Sequence, residues 1–174
     1  ERAGVVHRLD AGTSGLMIIA KTENSYLKLK EMFRAHDVEK TYHALVQGHM
    51  DPSTGTIDAP IDRHPKEDHR FAVVATGKES ITHYEVIEFY RGVSMVKVEL
   101  ETGRTHQIRV HFSEMGHAVV GDKMYGEKDK GAKRLTLHSY SLSILHPYTK
   151  KEMTFQTEIP LYFKSLVNYH DKKP

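Results

Sequence analysis

Residues 81–89 and 93–100 are two strand-like runs joined by a turn at Arg91-Gly92. Strands closed by so short a connection run antiparallel. That hairpin constrains the rest of the chain, because a sheet begun this way needs further strands and a cover for its apolar face. Residues 41–46 offer the next strand, with Tyr42, Ala44 and Val46 alternating against Thr41, His43 and Leu45. Residues 139–145 and 153–159 supply two more, flanking the turn His146-Pro147-Tyr148. Residues 16–20 read as a short buried strand after the turn-rich run 11–15. Helices are few. Thr22 caps one starting at Glu23, with Tyr26, Leu29 and Phe33 as its buried stripe. A second is expected from Thr105 to just before Gly116, with Ile108, Phe112 and Met115 facing inward. No regular strand–helix–strand alternation occurs, so the fold class is α+β, with a mostly antiparallel mixed sheet and a few helices.

The remaining stretches read as connections. Residues 51–80 hold Pro52, Gly55, Pro60, Pro65 and Gly77 and suggest loops and small hairpins. Residues 121–134 are rich in glycine and lysine and are expected to be mobile, and the polar tail 164–174 to be disordered. The length of 174 residues suits one domain, taken as 1–163. A sharp motif within ten residues of Glu1 suggests that further chain precedes it.

Composition excludes several function classes. The chain has no cysteine, which removes disulfides, zinc-thiolate sites and thiol catalysis, and fits a cytoplasmic location. No run approaches the ~20 apolar residues that span a bilayer, so no membrane partner is expected. A net charge of +2 does not decide RNA binding, since the charges at 62–70 nearly cancel and the basic stretch 123–134 carries acids too.

Thirteen histidines include no H-E-x-x-H pattern, so no metal site is expected. The glycines match neither a phosphate loop nor a dinucleotide fingerprint. Asp10, in His7-Arg8-Leu9-Asp10, leaves two readings open. It serves its own turn by bonding local amides, or it is an ionised carboxylate acting as nucleophile or base. The second cluster, Glu101-Thr102-Gly103-Arg104-Thr105-His106-Gln107-Ile108-Arg109-Val110-His111, sets polar groups among apolar ones at a helix start. Arginines drawn inward there need partners, which favours a functional site over a solvated helix face.

Together these segments resemble the RluA/RluD family of pseudouridine synthases. The resemblance is carried by residues 7–16, Ala20-Lys21-Thr22, Lys40-Thr41-Tyr42, Ala44-Leu45-Val46 and 102–111. Gly121-Asp122, Tyr125-Gly126, Leu135 to His138 and His146-Pro147 follow in the same order, and 60–65 with Thr82-His83-Tyr84 point to the RluD branch. It implies a pseudouridine synthase catalytic domain in which Asp10 is the catalytic aspartate, Tyr42 the active-site tyrosine and Arg109 the arginine paired with the aspartate. Arg8 matches a residue that fills the space left by a flipped base; Arg104, His106, Gln107 and Leu137 become pocket or support residues. The implied substrate is uridine in structured RNA, most readily 23S ribosomal RNA, acted on by a monomer without a cofactor. The N-terminal stretch and the small RNA-binding domain that such enzymes carry are absent from these residues. Three alternatives remain: a transfer-RNA target, an RNA-binding module without catalysis, and a nucleoside or glycoside hydrolase. The last is disfavoured, because a glycosidase needs two carboxylates flanking the bond.

Overall fold

The computed structural model describes residues 4–127 and 132–172. In chain order the elements are β1 (Ser14–Gly15), α1 (Glu23–Arg34), β2 (Val38–Gln47), β3 (Thr54–Asp58), β4 (Ile61–Arg63), β5 (Phe71–Val73), β6 (Ile81–Tyr90), β7 (Val93–Leu100), α2 (Gln107–Glu114), β8 (Leu137–Leu145), β9 (Glu152–Gln156) and α3 (Leu161–Lys172). The main sheet runs β1-β8-β2-β7-β6-β3, with β9 also on β8, while β4 and β5 form a separate hairpin. All its pairings are antiparallel except β1 with β8. The α+β expectation therefore holds.

The β6–β7 hairpin closes where sequence placed it, with Tyr90 opposite Val93 and Gly92 at φ +73°, a left-handed conformation that glycine adopts without strain. Residues 51–80 go beyond loops, since β3 extends the main sheet beside β6. Thr22 caps α1 as expected, its hydroxyl accepting the Ser25 amide at 3.2 Å.

Strand β2 is central and buried on both sides. Tyr42, Ala44 and Val46 face a core with Val96, Val98, Ile108 and Phe112, so α2 closes that face. Leu45 packs on the other face with Val93, Met95, Phe163 and Leu166. The expected disordered tail is thus corrected: residues as far as 172 form α3, whose Phe163 and Leu166 cover the second face, and only 173–174 lie outside the described residues. The polar residues around and after those two anchors, Lys164, Ser165, Asn168, His170 and Asp171, make the segment read as a tail.

Two smaller expectations also change. Residues 16–20 are not a buried strand: the ladder with β8 ends at Gly15, only an isolated bridge from Ile19 to Val5 follows, and Met17 and Ile19 are 41% and 58% exposed while Leu16, Ile18 and Ala20 pack inward. Met115 does not face in, because α2 ends at Glu114 and leaves it exposed at the C-cap. Of the stretch 121–134, residues 128–131 lie outside the described residues.

Candidate active site

A pocket of about 260 Å³ opens where the segment before β1, strand β2 and the loop before α2 meet. Arg8, Leu9, Asp10, Lys40, Tyr42, Arg104, His106 and Leu137 are among its lining residues. Two segments almost a hundred residues apart in sequence are thereby brought to one place.

Asp10 ends an extended segment, and its carbonyl accepts the Thr13 amide at 3.0 Å, so the turn is closed by backbone. Its carboxylate is left to accept Arg109 Nη1 at 3.3 Å, with 19% of the side chain exposed. The local-turn reading therefore does not account for the carboxylate.

Arg109 lies behind Asp10, outside the pocket lining, on the buried face of α2. Its principal partner is Asp122, which takes Nε at 2.7 Å and Nη2 at 3.0 Å in a two-pronged fork. The Asp122 side chain is fully buried, and its Oδ1 also accepts the amides of Met124 and Tyr125. Burial alone would raise the Asp122 carboxyl; the Arg109 fork and those amides more than offset it, holding it below the usual range. Burial would likewise weaken Arg109 as a base, but Asp122 and then Asp10 hold its guanidinium more firmly protonated than usual. Residues 121–127 are thus a turn wound round one carboxylate.

Tyr42 stands on β2 at a bulge, where pairing with β8 shifts between Thr41 and Tyr42. Bulges of this kind re-aim a side chain. The residue is 8% exposed, and burial with the nearby Asp10 charge pushes its hydroxyl up to about 12, so it stays neutral. Arg8 is exposed at the rim. Arg104 lines the pocket but is tethered through Nε to the Glu79 carbonyl at 2.9 Å. Leu137 contributes a buried apolar wall.

Gln107 is not brought to the pocket. Its Oε1 accepts from the Thr102 hydroxyl and the Arg104 amide, and its Nε2 donates to the Ile81 carbonyl and the Thr82 hydroxyl. These bonds tie the loop before α2 to β6. The role this arrangement gives Gln107 is holding Arg104 and His106 in place. His106 caps α2 from the left-handed region at φ 57° and lines the pocket.

Sequence reasoning passed over two residues as site members. Asp122 was part of a matching segment only, although a buried arginine with one partly exposed partner signals that another must exist. Lys40 lines the pocket, its ammonium has no hydrogen bond or ion pair among the described residues, and burial lowers that ammonium's pKa. The same burial, with the Lys40 charge, brings His7 down to about 4. The neutral His7 ring stacks on Phe33 at 4.3 Å, and its Nε2 accepts the Ile18 amide. The site can therefore hold one anionic carboxylate against a neutral ring, with an unpaired cation beside them.

Residues 1–114 match the family described as RNA pseudouridylate synthase. A protein of Mycobacterium bovis named an uncharacterized RNA pseudouridine synthase is 49% identical over 165 residues, 92% of this chain and 54% of that one. Ribosomal large subunit pseudouridine synthase D of Escherichia coli K12 is 40% identical over 173 residues, 91% of this chain and 53% of that one. The chain thus spans about half the length of the curated relatives it matches. The solved structure of human RNA pseudouridylate synthase domain containing 1 superposes with a TM-score of 0.81 at 30% identity, over 98% of this chain and 80% of that one.

Proposed function

The chain belongs to the RNA pseudouridylate synthase family, and from that premise we propose that it is the catalytic part of an enzyme converting uridine to pseudouridine in structured RNA. The observation that carries the reading is the Asp10 carboxylate in the same pocket as the Tyr42 ring, held from behind by Arg109 and Asp122. The reaction breaks the N1–C1′ bond, turns the uracil and forms a C5–C1′ bond; N1 gains a proton and C5 loses one. It is balanced as an isomerisation, without a redox partner. A stacked base cannot turn, so it must leave the helix, at a cost of a few kcal/mol. In this reading Arg8, at the rim, fills the gap in the stack, and the neutral Tyr42 ring gives the freed uracil a face to lie on. Asp10 serves as nucleophile or base, aligned by its contact with Arg109. Arg104 and Leu137 complete the walls, and Lys40 offers charge to a phosphate or base oxygen.

The similarity to ribosomal large subunit pseudouridine synthase D makes 23S ribosomal RNA the substrate we favour, with the enzyme acting as a monomer in the cytoplasm. The test is tritium release from [5-³H]uridine-labelled ribosomal and transfer RNA, by the full-length protein and its Asp10→Asn variant. Release from ribosomal RNA that Asp10→Asn abolishes supports the reading. Release from transfer RNA alone moves the substrate, and RNA binding without release from either leaves a binding module in its place.

A further inference from the structure

His106 sits between two aromatic rings, edge-on to Phe71 at 5.6 Å and to Tyr125 at 5.5 Å. Its Nδ1 lies 2.8 Å from the Tyr125 hydroxyl, and that hydroxyl lies 2.9 Å from the Phe71 amide nitrogen. The backbone amide can only donate, so the Tyr125 oxygen accepts from it. The Tyr125 proton then needs an acceptor. Both charged groups over its ring, Arg70 and Arg109, are guanidiniums and accept nothing. The acceptor left is His106 Nδ1, and an imidazole that accepts at Nδ1 and is neutral carries its proton on Nε2.

Nε2 makes no hydrogen bond among the described residues and is not sealed from solvent, while the ring lines the pocket. Tyr125 is itself fixed, its amide bonded to Asp122 and its carbonyl accepting the Ser113 hydroxyl. The ring is carried by a non-glycine residue in the left-handed region, a strained conformation that persists where the surroundings impose it. Burial lowers the pKa of His106, opposed in part by Asp10, in keeping with a neutral ring.

We propose that Tyr125 is a positioning residue that locks His106 as its Nε2–H tautomer, so that His106 presents a neutral hydrogen-bond donor to a carbonyl oxygen of the pyrimidine in the Asp10 pocket. A donor fixed in this way accepts a keto base and meets an amino group with donor against donor. The β4–β5 hairpin, which supplies the Phe71 amide, and the turn round Asp122 thereby act on base recognition without touching the base. This inference rests on the proposed uridine chemistry and adds the recognition of the base.

The test is histidine ¹⁵N chemical shifts in the full-length protein near pH 7.5, with the His106 signal identified by its loss in His106→Gln. The expected result is a protonated Nε2 and a bare Nδ1 in the wild type, becoming a mixture in Tyr125→Phe. Alongside, kcat/KM on RNA should fall about tenfold in Tyr125→Phe, the size of one hydrogen bond. It should fall further in His106→Leu and be partly restored in His106→Gln, whose amide can donate from the same place. A wild-type His106 protonated on Nδ1 overturns the inference, whatever the activity. So does an unchanged tautomer and an unchanged kcat/KM in Tyr125→Phe. Failure of uridine isomerisation is separate, appearing as absent turnover in the wild type with the tautomer intact.

Discussion

Asp10 and Asp122 share one arginine and differ in nearly everything else. Asp10 is partly exposed and holds a single 3.3 Å contact, whereas Asp122 is fully buried, takes the fork and accepts two amides. Their losses should therefore separate stability from catalysis. Asp122→Asn turns an amide toward the buried Arg109 and leaves its charge matched only by the 3.3 Å contact with Asp10, which costs about 3–5 kcal/mol. Asp10→Asn removes a weak contact at the edge of solvent and should cost under about 1 kcal/mol while abolishing turnover. Urea unfolding of both variants beside the wild type measures the difference; equal losses would show that Asp122 is not the anchor. Asp10, Tyr42 and Arg109 were legible in the sequence because each stands in a short, ordered match. Asp122 stood in one too, but its meaning depends on a partner thirteen residues away and on burial, which local pattern does not reveal. Gln107 looked like a pocket residue for the converse reason: its neighbours reach the pocket, and its own side chain turns to β6.

At the scale of elements, what the sequence revealed was local. The β6–β7 hairpin and the capped start of α1 depend on neighbours a few residues away, and both appear as expected. Helix α3 depends on a surface made elsewhere. Phe163 and Leu166 bury only because Leu45, Val93 and Met95 present a second apolar face of the sheet. The alternation at 41–46 suggests one buried face, and nothing local to 161–172 says that the other needs a cover. The same limitation applies to 16–20, an apolar run whose alternate side chains stay exposed once the ladder with β8 ends. Phe163→Ala tests the account of α3. Its ring is fully buried, so its removal should cost about 3–5 kcal/mol, with loss of helical signal in far-ultraviolet circular dichroism. A change below 1 kcal/mol would mean that α3 is a loosely held tail after all.

Across the whole molecule, neutral buried imidazoles form a pattern that no single site accounts for. His7 and His43 are brought down to about 4, His7 by burial and the Lys40 charge, His43 by burial with His138 and Lys97. His106, His111 and His138 are lowered as well, chiefly by burial. His111 shows why: its Nε2 donates to the Ala59 carbonyl and its Nδ1 accepts the Thr82 hydroxyl, leaving no place for a second proton. In the unfolded chain each of these rings titrates near 6.5, so between 6.5 and about 4 the unfolded state binds more protons than the folded one. Stability therefore rises with pH through that window and is lost as pH falls from 6.5 toward 4. The Asp122 carboxyl, held low by Arg109, adds its own loss only at more acidic pH. The histidine contribution can be isolated between pH 5 and 6.5, above the ordinary carboxylate range. Urea midpoints of the wild type should climb steadily across that interval and level off above pH 7. In His111→Gln, which keeps a donor and an acceptor but cannot titrate, the climb should be shallower. A flat wild-type profile from pH 5 to 7 would mean that these rings charge in the folded state, and the neutral-imidazole account of the core would fall.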